Sequence, residues 1–85
     1  MNTKQRKTLT AIFQEPVRPN VRWKDIETLL EILGAEISPG NGSRVRAAAL
    51  KGVRAVFHRP HPQKITDKGA LKSVRRFLIT AGVKQ

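Results

Sequence analysis

Residues 43–58 read SRVRAAALKGVRAVFH, and the fold turns on how this stretch pairs with itself. Two β-prone segments flank Lys51-Gly52, the pattern of a hairpin. If Lys51-Gly52 alone made a two-residue turn, Arg46 would share a face with Phe57 and Val45 with His58, mixing polar and apolar on both sides. A three-residue loop, Leu50-Lys51-Gly52, with Gly52 left-handed in a bulge, instead pairs Val45 with Phe57, Ala47 with Ala55 and Ala49 with Val53. One face is then wholly apolar. The other carries Arg44 opposite His58, Arg46 opposite Val56 and Ala48 opposite Arg54. A one-residue slip turns every side chain of a strand over, and burying an unpaired arginine costs roughly several kcal/mol, so the bulged register is expected.

Outward from the hairpin, two helices frame it. Trp23, Ile26, Leu29, Leu30 and Leu33 fall on one helical stripe with Lys24, Glu27 and Glu31 opposite, and Gly34 supplies a left-handed cap. Ala35 to Ile37 reads as a short strand, and Ser38-Pro39-Gly40-Asn41-Gly42 as a loop. After the hairpin, Arg59 to Ile65 (RPHPQKI) is extended, because its two prolines disfavour helix in their neighbours. Thr66 or Asp67 then caps a last helix, with Ala70, Leu71, Val74, Phe77, Leu78 and Ala81 as its buried stripe and Lys72, Arg75 and Arg76 pointing out. At the other end, Thr3 to Phe13 forms a short helix, followed by a proline-containing linker, Gln14 to Asn20. The expected organisation is residues 1–20 as N-terminal helix and linker and residues 21–85 as one α+β domain. In it, two helices cover one face of a three-stranded antiparallel sheet and leave the second face to solvent.

With 85 residues, one modest core is all the chain can close. It has no cysteine, which excludes a disulfide framework, thiolate metal sites and a cysteine nucleophile. It has no apolar run of membrane-spanning length, and its polar start lacks the apolar stretch of a secretory signal, so a soluble cytoplasmic protein is expected. Of the formal charge of +11, almost all lies in the second half. Residues 1–43 hold six Lys/Arg against five Asp/Glu, whereas residues 44–85 hold eleven Lys/Arg against Asp67 alone. A half-chain this lopsided repels itself unless a polyanion compensates it, which points to nucleic acid, with an acidic protein or an anionic membrane as alternatives.

Phe57-His58-Arg59-Pro60-His61-Pro62 holds both histidines of the chain beside an arginine, at a strand end. Histidine is the side chain that titrates near neutral pH unassisted, so His58 and His61 among phosphate-binding cations suit proton transfer in RNA transesterification. They also fit an ordinary exposed strand residue and an ordinary loop residue. Other chemistries have thinner support. Two histidines without cysteine make a poor metal site, Ser43 and Ser73 lack a Ser-His-Asp set, and Gly40-Asn41-Gly42 has no lysine-threonine sequel for a nucleotide loop.

From about Trp23 to Val83 the chain resembles the HicA toxins of bacterial HicA-HicB toxin-antitoxin pairs. The resemblance rests on Gly42-Ser43 leading into a strand, Pro60-His61-Pro62 followed by Lys64, Lys68-Gly69 opening the last helix, and the Ala81-Gly82-Val83 ending. It implies a fold like the double-stranded RNA-binding domain (dsRBD-like, α-β-β-β-α), cleavage of mRNA, and a HicB partner that covers the active site. HicA toxins commonly carry their catalytic histidine immediately after the Gly-Ser pair. Here that place is Arg44, which binds phosphate but cannot act as a base. The bulged register offers His58 as a replacement, directly across from Arg44, its Cβ roughly 5 Å away. The expected site is therefore His58 and His61 as catalytic groups, with Arg44, Arg46, Arg54, Arg59 and Lys64 binding RNA phosphates and no metal or cofactor. The expected partners are mRNA and a HicB-type antitoxin, without a membrane. The competing functions are an RNA-binding module that does not cut, and a toxin-like fold that mainly engages an acidic protein.

Overall fold

Amphipathic spacing at both ends of the hairpin is realised as helix. In the computed structural model, which describes residues 1–40, 45–58 and 65–83, the order is α1 (Thr3–Phe13), β1 (Val21–Arg22), α2 (Trp23–Ile32), β2 (Glu36–Pro39), β3 (Val45–Leu50), β4 (Val53–His58), β5 (Ile65–Thr66) and α3 (Lys68–Thr80). Trp23, Ile26, Leu29 and Leu30 of α2 and Leu71, Val74, Phe77 and Leu78 of α3 are buried. Asp67 caps α3 by accepting the Ala70 N–H at 2.7 Å. Gly34, at φ 101°, ends α2 in the left-handed region. Strand β2 begins one residue later than the sequence suggested and runs to Pro39, which an edge strand tolerates.

Three antiparallel strands in the order β2-β3-β4 form the main sheet. This is the α+β, dsRBD-like α-β-β-β-α arrangement. Within it the hairpin register differs from the expected one. Arg46 pairs with Phe57, Ala48 with Ala55 and Leu50 with Val53, across a two-residue Lys51-Gly52 turn. Both turn residues have positive φ, 50° and 81°. That is the combination of a type I′ turn, whose twist matches the flanking strands. The faces of β4 are those expected, but β3 is turned over: Ala48 and Leu50 point to the helices and Ala47 and Ala49 away from them.

The slip is tolerated because the inward arginine has a partner. Arg46 Nε lies 3.4 Å from Glu27 Oε1 on α2, and the same oxygen accepts from Trp23 Nε1 at 2.7 Å. The penalty that argued against this register applies to an unpaired charge, whereas here the side chain sits at a sheet margin, opposite Pro39, with its carboxylate in place. The two-residue register also leaves Leu50, a large apolar residue, inside rather than in the loop. Next to Arg46, Phe57 meets Trp23 and Phe77 edge-to-face, with ring centroids 6.0 and 5.7 Å apart, and so joins the sheet to both helices.

α1 folds onto α2 and α3, burying Leu9 and Ile12, and Val17 of the linker joins the same core. Its start is held by a capping box between Asn2 and Gln5. Its end is held by Arg75 of α3, the one cation of that helix expected to point out that does not. Arg75 donates to the carbonyls of Ile12 (2.8 Å) and Gln14 (2.9 Å) and pairs with the Glu15 carboxylate. A cation at these carbonyls satisfies acceptors that a helix C-terminus leaves open and complements its dipole. Between linker and α3, β1 and β5 form a two-residue antiparallel ladder, Val21 with Thr66 and Arg22 with Ile65, too short to show as periodicity in the sequence.

Candidate functional site

Among the described residues all three helices lie on one side of the main sheet, and its second face carries exposed side chains. Strand alternation sends Arg54, Val56 and His58 of β4 to that face, along with Ala47 and Ala49 of β3 and Glu36 and Ser38 of β2. Register arranges them in rows: Glu36, Ala49 and Arg54 in one, Ser38, Ala47 and Val56 in the next, with His58 beyond, opposite Val45. The middle strand carries only methyl groups at Ala47 and Ala49. The face is therefore a shallow trough with an alanine floor, walled by β2 on one side and β4 on the other. With neighbouring strands about 4.8 Å apart, the walls stand roughly 10 Å from each other.

Val56 is 61% exposed, a β-branched side chain presented to solvent. Arg54 and His58 are exposed on either side of it, and among the described residues neither side chain is in a hydrogen bond or ion pair. Both are thus available to a ligand, the arginine to bind phosphate and the histidine to move a proton. Among the described residues no group of three His, Cys, Asp or Glu side chains is placed to hold a metal ion.

Of the residues expected at the site, the fold brings Arg54 and His58 to the open face. It takes Arg46 away: that side chain is on the helix-covered face, half-buried and ion-paired with Glu27, and so is not one of the open-face phosphate binders. It also removes the expected pairing of His58 with Arg44, since the residue across from His58 is Val45. Arg44, Arg59, His61 and Lys64 lie outside the described residues. Sequence reasoning missed Glu36 and Ser38 as members of this face. Their alternation with Ile37 was the available signal, and it was lost by reading Ser38 as the start of a loop.

A thin sheet with helices on one side and an open, basic-edged face on the other defines the class, a small dsRBD-like α+β protein. A family model for the HicA toxin of bacterial toxin-antitoxin systems matches residues 23–83, from the first residue of α2 past the end of α3, and the chain belongs to that family. It is accordingly the toxin member of a toxin-antitoxin pair. No curated protein and no solved structure matches the chain. The family match leaves α1 and its linker outside. Among the described residues no helix is long and apolar enough to cross a membrane.

Proposed function

We propose that the chain is an endoribonuclease that cuts mRNA on the open face of its sheet, with His58 as a proton-transfer group and Arg54 as a phosphate binder. In this reaction the RNA 2′-hydroxyl loses its proton to a base and attacks the adjacent phosphorus. The 5′-oxygen of the next nucleotide leaves with a proton from an acid, giving a 2′,3′-cyclic phosphate and a free 5′-hydroxyl. A histidine serves either step, and His61 is the candidate for the second. The observation that carries the reading is the exposure of His58 on the uncovered face, on the same strand as Arg54. Four residues apart along a strand is about 13 Å, so Arg54 suits the phosphate of a neighbouring nucleotide rather than the one being cut.

The same face suits a HicB-type antitoxin. Val56 above the alanine floor is a small apolar patch rimmed by Arg54 and His58, the anatomy of a protein contact with an apolar centre and polar rim. Occupying it would block RNA and neutralise the toxin. In the cytoplasm, where mRNA is available, release of the antitoxin would expose it.

A second reading, an RNA-binding module that does not cut, is favoured by two observations. Arg44 stands where the family commonly has histidine, and Arg46 is turned inward, which leaves the open face with fewer cations than expected. Incubating the purified chain with mixed-sequence RNA in EDTA separates the two. Cleavage gives fragments ending in 2′,3′-cyclic phosphate, and binding alone returns intact RNA with a steep salt dependence of affinity.

A further inference from the structure

Among the described residues the open face accounts for few of the cations in the basic half of the chain, and α3 holds an organised set of the others. Lys68, Lys72 and Arg76 recur every four residues and are all exposed. At 100° per residue they span an arc of about 80°, pointing away from the buried arc of Leu71, Val74, Phe77 and Leu78. Because Phe77 packs on Phe57 of the sheet's inner face, this stripe looks away from the sheet, on the side of the molecule opposite the trough. Along the helix it measures about 12 Å.

Among the described residues no carboxylate is ion-paired with it. Asp67 is the single acid after Ser43, and its carboxylate accepts the Ala70 N–H. Among the described residues none of the three cations is in an ion pair, whereas Arg75, one residue before Arg76, is fully engaged with the end of α1. The helix thus divides its basic residues between an internal clamp and an unneutralised outer row.

We infer that Lys68, Lys72 and Arg76 form a second RNA-backbone contact, which holds the strand while the open face acts on it. The inference rests on the RNA reading above. A nucleic-acid strand carries a charge about every 3.4 Å in a duplex, so 12 Å of backbone offers several phosphates to three cations without needing a matched sequence. Lysine is depleted from the centres of protein–protein contacts, and the row holds no apolar residue until Ile79 at its far end, which favours a polyanion over an acidic protein. The smallest extent of the molecule is 21 Å, so a flexible strand gripped on α3 can pass round the edge of the domain to the trough. Its effect is on local concentration, hence on KM and not on the rate of the bound complex.

The test uses the full chain and two probes, a mixed-sequence RNA for cleavage and its 2′-O-methyl counterpart, which lacks the attacking hydroxyl, for binding. The triple variant Lys68→Gln, Lys72→Gln, Arg76→Gln is compared with Arg6→Gln, Lys7→Gln, Arg18→Gln, which removes as much charge from the N-terminal segment. The α3 variant is expected to bind the 2′-O-methyl strand at least tenfold more weakly. Its salt slope should fall by about 2, roughly 0.7 per lost phosphate contact. Its KM should rise with kcat unchanged, and the N-terminal variant should stay close to wild type. Equal weakening in both variants, or none in the α3 variant, overturns the stripe and leaves the cleavage reading standing. Binding that depends on α3 with no cleavage by the wild type overturns the cleavage reading and leaves the stripe. Undiminished RNA binding with loss of co-purified antitoxin, reproduced by Ile79→Ser, assigns the row to a protein partner and overturns the inference.

Discussion

The two faces of the main sheet use the same residue types to opposite ends. On the covered face, alanine lets helices approach, an arginine is tied to a carboxylate, and an aromatic residue locks sheet to helices: Ala48 is buried, Arg46 meets Glu27, and Phe57 meets Trp23 and Phe77. On the open face, alanine makes a floor, Arg54 is in no ion pair among the described residues, and Val56 and His58 stand in solvent. Residue type alone therefore does not assign a role in this chain. Position relative to α2 does for the two sheet arginines, because that helix supplies Glu27, the acid that ties Arg46 into the fold.

Substitutions that pair a residue on one face with its counterpart on the other put this contrast to the test. The largest effect belongs to Phe57→Ala, which removes the ring between both helices and is expected to lower unfolding free energy by about 3–5 kcal/mol in urea titrations. Arg46→Ala follows. It leaves the half-buried Glu27 with Trp23 alone, and a loss of about 1–3 kcal/mol is expected, whereas Arg54→Ala should change stability by no more than about 0.5 kcal/mol. If Arg54→Ala proved as destabilising as Arg46→Ala, the assignment of faces would be wrong. Val56→Ala belongs with Arg54→Ala in stability, but it should weaken co-purification with the antitoxin. Smallest of all, Lys51→Asn places a residue that tolerates positive φ in the hairpin turn and is expected to stabilise by about a few tenths of a kcal/mol. The three-residue bulged loop would give no such gain.

Much of this architecture was legible from spacing. The apolar stripes of α2 and α3, the caps at Gly34 and Asp67, and the outward face of β4 follow from periodicity and from the chemistry of helix ends. β3 was not legible, because Arg46 and its carboxylate lie 19 residues apart in sequence, and local pattern could not reveal that the inward arginine would be paired. Its alanines gave no help, since methyl groups suit a packed face and an open floor equally. Arg75 was misread for a related reason. It sits on the polar side of its own helix, and what it binds, the end of α1, is more than sixty residues earlier. Of the site, His58 and Arg54 were readable from β4 alone, while Glu36 and Ser38 required knowing that β2 continues to Pro39.

If the covered face holds the fold and the open face cuts RNA, as proposed, losing His58 should all but abolish cleavage without disturbing the fold. Single-turnover cleavage of RNA by His58→Ala, in EDTA, is expected to fall about 10²–10⁴-fold below wild type with tryptophan fluorescence and unfolding midpoint unchanged. Cleavage by His58→Ala at the wild-type rate would contradict it.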